Sequence, residues 1–161
     1  MTYAKEKIYA RLLNEKCKDT VGIYVSAEPF GFPDLIIAPY MEQNPITSDI
    51  IEQWGADKET VMRDAIANAA ERSVLSTFIV MRLACYRMQR PYGAIAAITM
   101  ASEIEEEFPN GYVIIPSSVH ECIILDAESV NDNDINELIN EVNASCLKAD
   151  EVLSNHAYYF V

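Results

Sequence analysis

Between residues 2 and 16 the apolar positions Ile8, Tyr9, Leu12 and Leu13 recur at helical spacing among lysines and glutamates, and that period predicts an opening helix. The pattern then changes. Residues 21–26 (VGIYVS) and 35–40 (LIIAPY) are rich in β-branched and aromatic side chains, which suit a pleated surface, and both are predicted strands. Pro39 has no N–H for a ladder, so it places the second strand at a sheet edge or marks its end. Between them, Pro29-Phe30-Gly31-Phe32-Pro33 reads as a turn that presents aromatic rings.

Helical signals follow. Thr47 or Ser48 caps a short helix through Trp54, ended by Gly55, and Asp57 caps a longer one from Lys58 to about Arg72 with Met62, Ala65, Ile66 and Ala69 inward. Residues 78–88 and 92–98 become strand-like, with Arg90-Pro91-Tyr92-Gly93 as the turn of a hairpin. Ser102 and Glu105 form a capping-box pair, and the acids from Glu103 to Glu107 suit the positive end of a helix dipole. Strands over 112–115 and 119–125 flank Pro116-Ser117-Ser118. Asp134 with Glu137 opens a last helix carrying Ile135, Leu138, Ile139 and Val142 inward, and residues 156–161 form a closing strand. Helices interleaved with hairpins predict an α+β fold: a single domain over 1–161 with one mostly antiparallel sheet and about four to five helices.

Charge changes the picture more than composition does. Residues 101–161 hold 13 acids and one base, Lys148, a net of −12, while residues 1–100 hold 12 acids and 11 bases. A polyanionic half repels nucleic acid and anionic membrane and attracts basic protein surfaces or cations. The longest apolar stretch, residues 78–85, is broken by Arg82 and falls short of the roughly 18–20 residues of a membrane span. The opening residues lack a signal-peptide pattern, so a cytoplasmic location is expected. Cys17, Cys85, Cys122 and Cys146 are scattered with no CxxC pair, and reduced, buried thiols are expected.

Ile114-Ile115-Pro116-Ser117-Ser118-Val119-His120-Glu121, Asn140-Glu141-Val142-Asn143 and Asp150-Glu151-Val152-Leu153-Ser154-Asn155-His156-Ala157-Tyr158-Tyr159 together resemble the bacterial family DUF5688 in a short form. In that family an IPSS-hydrophobe-HE strand, an EVN helix and an EEVLSDHVY ending recur in this order. Residues 7–14 and 46–57 also resemble it, which extends the likeness over most of the chain. Here Asn155 stands where the family has Asp, and Cys122 where it has an aliphatic residue. The resemblance implies a bacterial and mobile-element context, and it brings no activity with it.

The sharpest constellation of reactive side chains is His120, Glu121, Cys122 and His156. On a strand His120 and Cys122 share one face, and a nearby closing strand brings His156 to them as a Zn-compatible His₂Cys set. The plainer reading makes both histidines half-buried partners of backbone groups. Ile124 occupies the place of the second His of HExxH, so that motif is absent. Ser117 or Ser118 with a histidine offers a nucleophile, although Pro-Ser-Ser more simply makes a turn. The run Asp126, Glu128, Asn131, Asp132, Asn133, Asp134 resembles a calcium loop without the central Gly, and a solvated loop with a helix cap accounts for it. Nothing matches GxxxxGK[ST] or GxGxxG, and the basic group Arg82, Arg87 and Arg90 is too small for a nucleic-acid stripe.

Three functional readings follow. The first is a non-catalytic acidic interaction module using Glu103, Glu105, Glu106, Glu107, Asp126, Glu128, Asp132 and Asp134, without cofactor. Its partner is a protein with a basic surface, neither nucleic acid nor membrane, and its concrete version is a mobile-element anti-defence inhibitor (anti-CRISPR or anti-restriction). The second is a metal-dependent hydrolase centred on His120, Glu121 and His156. The third is self-association as a homodimer through the Phe30/Phe32 turn and Tyr158, Tyr159 and Phe160.

Overall fold

The computed structural model describes residues 2–72, 75–80, 83–88, 93–143, 153–154 and 156–161. They fall into two compact units, Met1–Arg72 and Ser73–Val161, each with its own sheet, where length alone suggested one domain. The fold class is α+β, and every strand pairing is antiparallel.

In the first unit the predicted opening helix is a strand, β1 (Ile8–Asn14). Ile8, Ala10 and Leu12 are buried and alternate with half-buried Tyr9 and Arg11, a period of two that apolar Tyr9 and Leu13 disguise as helical. This strand is what gives the unit a separate sheet. Of the predicted strand at 21–26 only β2 (Val25–Ser26) forms, followed by β3 (Leu35–Met41) and β4 (Asn44–Pro45). β3 is central, with β1 along one side and β2 and β4 along the other. Pro39 therefore lies in a central strand and not at an edge. Its carbonyl accepts Ile46 N–H at 3.0 Å on the β4 side. A strand residue points its N–H and C=O the same way, so the absent Pro39 N–H lies on that same side, where neither β2 nor β4 pairs residues 38–39. The ladder to β1 is unaffected.

Two helices complete this unit. α1 (Ser48–Trp54) starts where Thr47 Oγ1 accepts Ile50 N–H at 3.4 Å, and it ends at Gly55. α2 (Lys58–Arg72) is capped by Asp57, which accepts the Thr60 amide and hydroxyl, each at 2.8 Å. The inward stripe of α2 holds Val61, Met62, Ala65 and Ala69, while Ile66 is only half-buried. Buried Asp64 lies beside that stripe, where Tyr3 donates its hydroxyl to it.

The second unit holds a five-stranded sheet in the order β5-β6-β8-β7-β9: β5 (Leu75–Val80), β6 (Leu83–Met88), β7 (Tyr112–Ser118), β8 (Glu121–Asp126) and β9 (Tyr158–Phe160). The strand expected at 92–98 is helical over its described residues, 93–98. β5 pairs β6 instead, and Gly93–Ile95 is a 3-10 turn leading into α3 (Ala96–Thr99) and α4 (Ala101–Glu107). Alanine has the strongest helix propensity, and Ile95 and Ile98 stand three apart, a helical spacing. No capping box forms at Ser102. The chain is already helical there, with Met100 N–H bonded to Ala96 O and Ile104 N–H to Met100 O.

α5 (Asp132–Asn143) is capped by Asn131, which accepts Asp134 N–H at 2.9 Å. It covers one face of β7 and β8, packing Ile135 against Val113, Ile115, Ile123 and Leu125. The opposite face carries Tyr112, Ile114, Cys122 and Ile124, all buried, and Cys122 Sγ donates to Ala94 O at 3.6 Å. Expectations for Arg82, Arg90, Tyr92, Cys146, Asp150, Glu151 and Asn155 lie outside the described residues, as do the side chains of Cys85, Arg87, Ser117, Asp132, Leu138 and Val142.

Candidate functional site

One end of the second sheet gathers the two acid-rich segments. Tyr112, first in β7, pairs with Asp126, last in β8, and on its other side with Phe160 of β9. α4 enters this end through Phe108, Pro109 and Asn110, and the Ala127–Ser129 3-10 turn leaves it toward α5. Gly111 makes the junction. Its φ of 106° belongs to the left-handed region, and an added Cβ would sit 3.0 Å from Phe160 O. Ala127 N–H then bonds Gly111 O at 3.2 Å, and Asn110 Nδ2 reaches Glu128 Oε2 at 3.5 Å.

Glu103, Glu105, Glu106 and Glu107 are exposed around buried Ile104, and Glu128 is exposed while Asp126 and Asp134 are half-buried. Beneath them lies an aromatic stack: Phe108 and Tyr112 at 6.3 Å, then Tyr112 and Phe160 at 4.9 Å with planes 7° apart. Burial pushes the Tyr112 phenol above its ordinary value, and the Glu105 carboxylate adds to the push. Of the net −13, this unit carries −9, from 13 acids and 4 bases. The four bases, Arg82, Arg87, Arg90 and Lys148, all fall outside the described side chains. Asp132 opens α5 at this end, and its side chain is likewise not described.

The other constellation forms no metal set among the described residues. His120 sits with Val119 in the β7–β8 turn and not on the strand, because Ser118 pairs with Glu121 after a register shift beyond Ile115. Ser118 is buried, and its Oγ accepts His120 N–H at 3.0 Å, so this hydroxyl holds the turn. Cys122 is fully buried against the Gly93–Ile95 turn, and burial followed by the nearby Glu121 charge raises its thiol far above the ordinary range. His156 is exposed before β9, on the opposite side of β7 from β8, with its ring against Tyr158 at 4.5 Å. Its Nδ1 donates to Ala157 O at 3.1 Å, which sets the tautomer. Among the described residues no three His, Cys, Asp or Glu side chains come together as a metal set. In the 126–134 run, Asp126 Oδ1 accepts Glu128 N–H at 2.9 Å and Asn131 caps α5, so these groups hold the chain's own turns.

Asn110 and Tyr112 belong to this end and were missed as site residues, while Phe160 was named only for self-association. The signal available was the turn-forming Pro109-Asn110-Gly111 directly after the glutamate run.

Residues 87–161 match the model of a family of unknown function (DUF5688), and over that stretch the chain resembles the family. The match lies within the second unit and contains all three motifs quoted for it, whereas residues 7–14 and 46–57 fall outside. No curated protein matches the chain, and no solved structure does. Among the described residues no helix is long and apolar enough to cross a membrane.

Proposed function

We propose that this protein is a non-catalytic interaction module whose acidic end docks on a protein with a basic surface. The observation that supports this reading is the junction at one end of the second sheet, where the Asn110-Gly111 turn after α4 bonds Glu128 and Ala127 beside the Tyr112–Phe160 stack. Carboxylates on one side of a body add their fields, steer a cationic partner and repel nucleic acid and anionic lipid. In its concrete form the partner is a nuclease of a bacterial defence system, its nucleic-acid groove blocked by the acidic end, and the encounter takes place in the cytoplasm. The charge and the mobile-element context of the resembled family support that version.

The test is cleavage of target DNA by purified CRISPR effectors and restriction endonucleases, with the wild-type chain and with E103Q/E105Q/E106Q/E107Q. Inhibition by wild type, lost in the variant and weakened by added salt, is the expected result. No inhibition of any nuclease ends the anti-defence version. A partner retained by the chain at 1 M salt, where screening shortens to about 3 Å, ends the electrostatic reading altogether. The hydrolase alternative, centred on His120, Glu121 and His156, draws on no such grouping, since no metal set of three His, Cys, Asp or Glu side chains occurs among the described residues.

A further inference from the structure

The segment ahead of β1 buries no residue between Lys5 and Lys7, yet α2 ties it down repeatedly. Tyr3 donates its hydroxyl to Asp64 Oδ2 at 2.8 Å and lays its ring against Trp54, with centroids 5.2 Å apart. Asn68 Nδ2 donates to Lys5 O at 2.7 Å and to Ile8 O at 2.9 Å, and Arg72 Nη2 donates to Glu6 O at 3.3 Å. Asp64, Asn68 and Arg72 are successive turns of one helix, so they form a polar stripe beside the apolar stripe of Val61, Ala65 and Ala69.

We propose that residues 2–7 are a strap that opens and closes on α2 as a unit, uncovering Trp54, while the first sheet stays folded. The boundary is sharp. At Ile8 the chain becomes fully buried and enters an unbroken seven-residue pairing with β3. Ahead of it no ladder forms: the segment is held by one local backbone bond, Lys7 N–H to Ala4 O, by the Tyr3–Asp64 hydrogen bond, and by side-chain bonds to the carbonyls of Lys5 and Glu6, both solvent-exposed. Bonds of that kind contribute little net stability each, and segments held by them occupy the low end of local unfolding. The strap nevertheless covers Trp54, the single tryptophan, which stays 8% exposed beneath it.

Hydrogen exchange on the full chain, with acrylamide quenching of Trp54, tests the strap. The Lys7 amide, bonded to Ala4 O at 3.0 Å, is expected to be protected, yet to exchange about tenfold or more faster than the amides of residues 9–13. Asn68→Ala should accelerate the Lys7 amide by roughly a further tenfold and leave 9–13 unchanged. Tyr3→Phe removes a single oxygen, keeps the chain folded, and should raise Trp54 quenching in the same direction. Exchange of the Lys7 amide in step with 9–13, or equal acceleration of both by either variant, would overturn the proposal. So would exchange of the Lys7 amide at the rate of an unstructured peptide in the wild-type chain.

Discussion

The rings of Tyr112 and Phe160 stack 4.9 Å apart with planes 7° from parallel, and this pair joins β9 to the end of the sheet where the acidic segments meet. The two residues are also register partners, so the stack and the ladder reinforce one another. Phe160→Ala removes the stack on Tyr112. The expected loss is about 2 kcal/mol of stability, read from the denaturant midpoint, with faster exchange of the amides of 158–160. A change below about 0.5 kcal/mol would mean that β9 is held by its backbone alone.

Gly22 has no room for a side chain. A Cβ there would stand 2.5 Å from Thr47 Cα and 2.6 Å from Ile46 O, both backbone atoms that cannot swing aside. Thr47 caps α1, so the strain reaches the start of that helix. Gly22→Ala is expected to destabilise the first unit by about 2–3 kcal/mol in urea unfolding.

Asp57 gives the acid limb of stability a specific source. The Thr60 amide, then the Thr60 hydroxyl, hold its carboxyl below the usual value of 3.8. A depressed carboxyl contributes stability that is present above its ordinary value and is lost as pH falls through the lowered one. Asp57→Asn should therefore flatten the fall of Tm below about pH 4 relative to wild type, while the pH 7 helix content changes little. An unchanged acid limb would contradict the assignment.

Cys122 should be inert while the protein is folded. Its thiol is fully buried and its ionisation is pushed far up, whereas Cys17 is half-buried. Iodoacetamide at pH 8 is expected to label Cys17 in the native chain and Cys122 only after denaturant, as resolved by peptide mass mapping. Native labelling of Cys122 at the rate of Cys17 would contradict the packing.

What was readable in advance divides by range along the chain. Caps are local, so α1, α2 and the existence of α5 were legible from Thr47, Asp57 and the Asp134 turn. Residues 112–125 were legible as two strands because β-branched runs flank a turn, although the turn itself moved from Pro116-Ser117-Ser118 to Val119-His120. Residues 8–14 were not, since Tyr9 and Leu13 complete a helical stripe as readily as Ile8, Ala10 and Leu12 complete a strand face. Only pairing with the apolar β3 decides between them, and that partner is about 27 residues away. The acids of the candidate site were legible as composition. Their convergence was not, because it depends on Gly111 and on the pairing of Tyr112 with both Asp126 and Phe160, which no local pattern announces.

The premise under everything functional is that negative potential is concentrated where α4 and the 126–134 segment meet. Amide chemical-shift titration with a nona-arginine peptide at low salt measures this directly, because each residue reports its own contact. Shifts gathered at 103–112 and 126–134, and abolished in E103Q/E105Q/E106Q/E107Q, are the predicted result. Shifts distributed evenly over the carboxylates of both units, Glu15, Glu28, Glu52 and Glu71 included, would contradict it.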